Sequence, residues 1–227
     1  MCGRYTLAAP AEELAARFLL DLSELRDLYH PRYNIAPSQP VLAVTGPAAS
    51  RRVLWLRWGL TPGWSRDGRP GPINARSETV FARPMFRQAI RQRRCLVPAD
   101  GFFEWAGEPP QRTPWHFSMK GGHLFAMAGI WEEWLSPSGE RTVSACVITT
   151  SPNPLVAPIH DRMPVILRPE QERVWLDPAV SNPADLNSLM APYDPKELQA
   201  HPVSRAVSDP RLDSPECIRP LTAGAAD

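Results

Sequence analysis

The order of apolar and polar positions predicts a chain built mainly from short strands. Residues Arg52–Trp58 divide into two alternating sets, one of which is wholly apolar, as expected of a strand with one face in a core. Further short apolar stretches predict strands at Val41–Val44, Cys95–Val97, Phe102–Trp105, Trp115–Met119, Leu124–Trp134, Thr142–Thr149 and Pro164–Leu167. The chain is therefore expected to be rich in β-structure along most of its length.

Helical spacing occurs in fewer places. In Pro10–Leu20, Leu14 and Phe18 lie four residues apart, and acidic residues occupy the first turn. Phe81–Arg94 is predicted as a basic amphipathic helix. Short helices are predicted at Pro169–Leu176 and Ala184–Met190. The 27 prolines are scattered, which favours short strands and turns over long helices.

These elements indicate the fold class α+β. Many short strands in succession with few intervening helices predict a mostly antiparallel, curved or barrel-like β-sheet core with peripheral helices. The 227 residues, without an internal repeat, suit a single domain over residues 1–208. Residues 209–227, rich in Pro and Ala, are expected to form a loose C-terminal tail.

The charges are distributed unevenly along the chain. The net charge is +1, but residues 1–100 hold fifteen Arg and no Lys against eight acidic residues, a balance of +7, and the remainder carries −6. Such asymmetry indicates a basic face for a polyanion, and Arg suits phosphate recognition and stacking on bases. The sequence pI of about 7.7 is lower than is typical of nucleic-acid-binding domains, and a genome rich in G and C would also favour Arg.

The cysteine pattern points to free thiols. The four cysteines are far apart and form no CxxC pair or zinc-ligand spacing, so no metal is expected. Free thiols are typical of a reducing, cytoplasmic environment.

No apolar run reaches the length of a membrane span, so no membrane partner is expected.

Methionine aminopeptidases remove Met1 when the second residue is small, as Cys2 is. The mature Cys2 then carries two reactive groups, a free α-amine and a thiol. The exposed α-amine, with a pKa near 7.7–8.0, is partly neutral at pH 7 and condenses with aldehydes. The neighbouring thiol then closes a five-membered thiazolidine ring. By position alone, however, a cysteine in second place is usually unremarkable.

Glu104 and His160 are candidate acid–base residues. Glu104 shares a strand face with Phe102 among aromatic residues, where burial would raise its pKa, although an edge-strand position facing water is the alternative. His160 precedes a predicted strand and suits proton transfer, or a structural hydrogen bond. If the segment is extended, Arg162 shares its face, and the pair would suit a phosphate or sugar oxygen.

Amide and aromatic side chains supply further candidates. Asn74 and Asn34 are either turn or cap residues or neutral amides that orient a ligand. Trp64, in a loop rich in Pro and Gly, is either an exposed stacking surface for a base or an anchor of the loop.

Taken together, the chain resembles the SRAP (SOS-response-associated peptidase) family, whose members process abasic sites in single-stranded DNA. The matching segments occur in the family's usual order and cover about the first 170 residues: MCGRY, YNIAPSQ, RWGLTPGW, NARSET, RRCLVPADGFFEW, FAMAGIWE, ITT and IHDRMPVIL. Any one segment is a weak signal, but eight in order are specific.

The resemblance implies an enzyme that crosslinks itself to an abasic site through mature Cys2. Asn74, Glu104 and His160 would be the other catalytic residues. The expected DNA-binding residues are Arg4, Asn34, Trp64, Arg76, Thr149 and Arg162. The product would be a thiazolidine, with AP-lyase cleavage and self-reversal as further activities.

The implied partner is single-stranded DNA containing abasic sites, bound by a monomer without a cofactor or metal. Replication-fork proteins are further candidate partners, and the expected location is cytoplasmic, nucleoid-associated when bound to DNA. Two alternatives stay open: an N-terminal cysteine peptidase or hydrolase, including self-catalysed removal of Met1, and a non-catalytic reader of single-stranded or modified DNA.

Overall fold

The computed structural model describes residues 2–221. Within them lie thirteen strands and four α-helices. The strands are β1 (Tyr5–Leu7), β2 (Arg32–Ile35), β3 (Pro40–Thr45), β4 (Arg52–Trp58), β5 (Asn74–Arg76), β6 (Arg94–Ala99), β7 (Gly101–Ala106), β8 (Thr113–Met119), β9 (Phe125–Leu135), β10 (Arg141–Thr150), β11 (Met163–Pro164), β12 (Ile166–Leu167) and β13 (Leu198–Pro202). The helices are α1 (Ala11–Phe18), α2 (Ala89–Gln92), α3 (Pro169–Leu176) and α4 (Pro183–Ser188).

Five strands close into a barrel. The order β10-β4-β3-β6-β9 is completed by pairing of β9 with β10, so the last strand returns to the first. Strands β3 and β4 form an antiparallel hairpin from Pro40↔Arg57 to Thr45↔Arg52. Strand β10 runs parallel to β4 and β5, whereas the other pairings are antiparallel. The predicted α+β class with a mostly antiparallel, barrel-like core is confirmed.

A second sheet positions the start of the chain. Its order is β13-β8-β7-β1-β2, so β1 lies between β7 and β2. All three residues of β1 are buried, and Tyr5 packs edge-on against Trp58 with ring centroids 5.4 Å apart. The start of the chain lies alongside β7, where Tyr5 pairs with Phe102. The Phe103 N–H also donates a hydrogen bond to the Arg4 carbonyl at 3.0 Å. Cys2, three residues before Tyr5, therefore lies close to β7, the strand that contains Glu104.

The helices cover the outside of these sheets. Helix α1 buries Leu14 and Phe18, as its spacing predicts, and its Arg17 pairs with Glu172 of α3. Helix α3 has the predicted bounds, and its Trp175 donates to the Cys95 carbonyl at 3.0 Å. No helix in the described part of the chain combines the length and the apolar character that a membrane span requires.

The predicted helix Phe81–Arg94 is wrong over most of its length. Only α2 (Ala89–Gln92) is α-helical, and residues 77–88 form consecutive turns. Pro84 lacks a backbone N–H, and its ring disfavours helical geometry at Arg83. The turns instead close through bonds such as that from the Ala82 N–H to the Thr79 carbonyl (3.1 Å).

Residues 209–221 are packed, which differs from the expected loose tail. Asp213 accepts hydrogen bonds from the Tyr33 N–H (2.5 Å) and from Arg32. Cys217 is buried, and the Leu221 N–H donates to the Pro202 carbonyl at 3.0 Å. This stretch therefore continues the domain, and residues 222–227 of the predicted tail lie outside the described residues.

Candidate functional site

Cys2 is fully buried and lies close to the candidate catalytic residues Asn74 and Glu104. Its carbonyl oxygen accepts a hydrogen bond from Asn74 Nδ2 at 2.8 Å. Its Sγ lies 3.9 Å from the Arg4 carbonyl oxygen. Burial raises the pKa of the Cys2 thiol well above its ordinary value, and the negative charge of Glu104 raises it further. The thiol is therefore protonated at neutral pH.

Glu104 is a buried carboxyl group on β7. It lies opposite Trp115 in the β7–β8 register and is 2% exposed, so the alternative of a water-facing glutamate is excluded. Burial raises the pKa of Glu104 from 4.5 to about 7. Protonated and ionised forms therefore coexist near neutrality, which suits a group that both donates and accepts protons.

His160 faces Glu104 from the loop between β10 and β11. Its Nε2 lies 3.9 Å from Glu104 Oε2. Its Nδ1 accepts a hydrogen bond from the Arg162 backbone N–H at 3.0 Å, which leaves the ring proton on Nε2. Burial lowers the pKa of His160, so the neutral ring is favoured at pH 7. The neutral imidazole therefore presents an N–H donor to the carboxyl group.

Asn74 begins β5, which is held against the parallel strand β10 by the pairing Asn74↔Val147. The Asn74 Nδ2 donates its hydrogen bond to the Cys2 carbonyl. The buried Oδ1 of Asn74 has no hydrogen-bond partner within residues 2–221. A buried acceptor left without a partner is costly, so this oxygen is available to a hydrogen-bond donor that enters the site.

A groove of about 810 Å³ leads away from Asn74. Its lining consists of Trp64, Pro72, Asn74, Arg76, Thr79, Arg83, Pro84, Met85 and Phe86. Trp64 is 66% exposed, as a stacking surface requires, and Arg76 is also exposed. A groove of about 860 Å³ elsewhere, beside Lys120 and Lys196, contains none of the candidate catalytic residues, so size alone does not identify the site.

Three residues of this lining were not among the residues predicted from the sequence to bind DNA. Thr79, Arg83 and Met85 face the groove because residues 77–88 form turns, whereas a continuous helix would have assigned Arg83 to a solvated face. Pro84, which breaks the helical pattern, was the available signal.

Thr149 and Arg162 join the strands behind the site. Thr149 is fully buried, with its Oγ1 3.5 Å from the Ala75 carbonyl. The Arg162 guanidinium donates to the Thr149 carbonyl at 2.6 Å and to the Glu78 carboxylate at 2.6 and 2.9 Å. Arg162 is only 8% exposed, so the structure gives both residues internal contacts at the wall of the site.

Arg4 and Asn34 are not part of the groove lining. The Arg4 guanidinium donates to Asn34 Oδ1 (2.7 Å) and to the Val207 carbonyl (2.6 Å). Asn34 is fully buried, and its Nδ2 donates to the carbonyls of Val207, Asp209 and Leu212 at 2.7–3.1 Å. Asn34 therefore holds the C-terminal segment, and its contact with DNA stays a prediction.

The four catalytic candidates therefore share one site, whereas the six DNA-binding candidates do not. Trp64 and Arg76 line the groove, Thr149 and Arg162 support its wall, and Arg4 and Asn34 bind the C-terminal segment. No group of three or more His, Cys, Asp or Glu side chains within residues 2–221 is arranged to hold a metal ion. The arrangement brings together a buried thiol, an amide, an imidazole and a carboxyl group whose pKa is raised to about 7.

The sequence matches the family model "SOS response associated peptidase (SRAP)" over residues 1–210. It is 42% identical over 221 residues to abasic site processing protein YoqW of Bacillus subtilis (strain 168), covering 96% of this chain and 99% of that protein. It is 30% identical to abasic site processing protein YedK of Escherichia coli (strain K12), covering 97% and 100% of the two chains. Abasic site processing protein HMCES of Rattus norvegicus is 32% identical, with 97% and 76% covered.

The fold also matches solved structures. A crystal structure of a Bacteroides thetaiotaomicron protein superposes with a TM-score of 0.87 at 29% identity, covering 97% of this chain and all of that one. The similarity therefore extends over the whole described domain.

Proposed function

Because the chain belongs to the SRAP family, we propose that it processes abasic sites in DNA by linking Cys2 covalently to the opened sugar. The observation that carries the proposal is the convergence of Cys2, Asn74, Glu104 and His160 at one site, where Asn74 also lines the groove. The relatives, which are abasic site processing proteins, support the same substrate.

The α-amine of mature Cys2 starts the reaction. Its nitrogen attacks the aldehyde carbon of the ring-opened deoxyribose, and the aldehyde oxygen leaves as water to give an imine. The Cys2 sulfur then adds to the imine carbon, and the thiol proton is transferred to the nitrogen. One C–N and one C–S bond form and one water is released, which leaves a thiazolidine.

Glu104 moves the protons in this sequence. In its protonated form it donates to the departing oxygen, and as a carboxylate it accepts the thiol proton, so a pKa of about 7 serves both steps. The His160 Nε2–H donates to the sugar oxygen as the ring opens. Asn74 holds Cys2 through its carbonyl and offers Oδ1 to the amine N–H. Ring closure is fast because the thiol and the imine belong to one residue.

The groove favours single-stranded DNA. Trp64 offers an exposed face on which an unpaired base stacks. Arg76 and Arg83 supply positive charge along the groove for flanking phosphates. A stacked base must be free of its complementary strand, so this arrangement selects unpaired DNA.

Two further activities follow from the same intermediate. The imine makes the neighbouring C2′ proton more acidic. Removal of that proton, with loss of the 3′-phosphate as the leaving group, would cleave the strand. Glu104 would also assist reversal by returning the proton to sulfur, and Glu104→Gln would then release crosslinked DNA more slowly than the parent. Equal release rates would exclude that role.

A cysteine hydrolase fits the site less well. Such an enzyme needs a thiolate, whereas burial and the charge of Glu104 both raise the pKa of the Cys2 thiol. The amine-first route avoids this requirement, because the thiol reacts only after the imine has formed.

The test uses untagged protein and a single-stranded oligonucleotide with one abasic site. We expect an adduct that survives heat and detergent for the parent, none for Cys2→Ala, and the parental amount for Cys95→Ala, which changes another fully buried free cysteine. N-terminal sequencing establishes that Cys2 is the first residue. No adduct from a chain that begins at Cys2 would refute the proposal.

A further inference from the structure

Glu78 connects the two segments that carry Asn74 and His160. It lies four residues after Asn74, and its carboxylate accepts two hydrogen bonds from Arg162, at 2.6 and 2.9 Å. Arg162 lies two residues after His160 and is buried, whereas the Glu78 side chain is half exposed. The pair is bidentate and charge-assisted, the stronger class of hydrogen-bonded ion pair.

The same ion pair is anchored on strand β10. The Thr149 carbonyl accepts hydrogen bonds from the Ser77 N–H (2.9 Å) and from Arg162 Nη2 (2.6 Å). Thr149 also pairs with Arg76 on one side and with Pro164 on the other. The backbone at Arg162 is therefore fixed by its side chain as well as by the adjoining strand.

Two groups compete for Nδ1 of His160. The Arg162 backbone N–H lies 3.0 Å from Nδ1 and requires a bare nitrogen, so the ring proton is on Nε2. Asp161 Oδ1 also lies 3.0 Å from Nδ1, and its hydrogen bond would require the proton on Nδ1. Only the first arrangement directs a donor at Glu104 Oε2, 3.9 Å from Nε2.

We propose that Glu78 is a positioning residue that selects the Nε2–H tautomer of His160 through Arg162. The carboxylate holds the Arg162 guanidinium, which keeps the backbone N–H on Nδ1 and denies that atom to Asp161. Without Glu78, Arg162 is a buried cation without its carboxylate partner, the segment shifts, and Asp161 captures an Nδ1–H. Its effect on the reaction rests on the proposed function, because it acts through His160.

The experiment combines nitrogen NMR of the His160 ring with the rate of adduct formation on an abasic-site oligonucleotide. The variants are Glu78→Gln, Glu78→Gln with Asp161→Ala, and Asp161→Ala alone. Glu197→Gln is the matched control, because it breaks the ion pair with Arg168 away from the site. The His160 signals are assigned by their loss in His160→Gln.

We expect the Nε2–H tautomer in the parent and in Glu197→Gln, and the Nδ1–H tautomer in Glu78→Gln. Adduct formation by Glu78→Gln should slow by about tenfold, which is part of the roughly hundredfold contribution of a positioned acid–base group, because His160 stays in place with the wrong tautomer. Adding Asp161→Ala should restore the tautomer and the rate. If Glu78→Gln does not fold, Glu78→Asp replaces it. Its shorter carboxylate should give a partial population of the Nδ1–H tautomer with a correspondingly smaller loss of rate, and an unchanged tautomer would overturn the inference in the same way.

An unchanged tautomer in a folded Glu78→Gln protein would overturn the inference, and so would a slow rate that Asp161→Ala does not restore. Failure of the parent to form any adduct would refute the proposed function instead. The tautomer measurement remains decisive for Glu78 in that case, since it needs no DNA.

Discussion

Replacing Glu104 with Gln should alter stability and activity in opposite directions. Burial raises the pKa of Glu104 from 4.5 to about 7, so between these values the folded protein retains a proton that the unfolded chain has lost. The free energy of unfolding therefore falls as pH rises through this window. At about 1.4 kcal/mol per pH unit, the loss amounts to about 3 kcal/mol.

Gln is neutral at every pH and has nearly the same shape, so Glu104→Gln does not incur this loss. Urea denaturation of parent and variant from pH 4.5 to 8 measures the effect, because titrating groups that do not interact with Glu104 cancel in the difference. We expect the variant to gain about 3 kcal/mol relative to the parent across that range. Adduct formation should fall by a factor of about 100 or more, the usual contribution of a positioned acid–base group. A stability difference that does not vary with pH would refute the reasoning.

Three further predictions concern the groove and the C-terminal segment. Trp64→Ala should weaken binding to single-stranded DNA by roughly tenfold, because the stacking of one base is lost. Leu28→Ala changes a similarly exposed apolar side chain and should leave binding unchanged. Fluorescence anisotropy measures the affinity of both variants. Arg76→Ala should reduce the slope of log affinity against log salt by about 0.7, the value for one phosphate of a single strand, and an unchanged slope would exclude that contact. Asn34→Ala removes the hydrogen bonds to the 207–212 carbonyls and to Arg4, so it should cost about 3 kcal/mol and roughly 6–10 °C in melting temperature. Asn182→Ala, at an exposed helix cap, should cost about 1 kcal/mol in the same thermal scan, and equal losses would contradict the role of Asn34.

The longer strands and helices were predictable because the spacing of their apolar residues matches the face that each element buries. The bounds of β4 and α3 agree with the sequence prediction, and those of the other long strands agree within a few residues. Strands β1, β2, β5 and β13 were missed because they span three to five residues, too few for a period to be read. The closure of β9 on β10 depends on pairing across the whole barrel, which no local pattern encodes.

The site was predictable where chemistry follows from residue type. A glutamate among aromatic residues indicates burial, and Glu104 is indeed buried. Asn34 could not be assigned in this way, because its partners are backbone carbonyls about 175 residues later. Glu78 was missed for the same reason: its role depends on a contact with Arg162, 84 residues away.

The bonds that Cys2 forms are tested by the intact mass of the adduct between the protein and an abasic-site oligonucleotide. We expect the mass of the chain beginning at Cys2 plus the DNA minus one water, in a linkage that is stable without a reducing agent. Cys2→Ala, which keeps the α-amine, should form only an imine that is retained after borohydride reduction. A stable adduct of the same kind with Cys2→Ala, or one attached at another residue, would contradict the account.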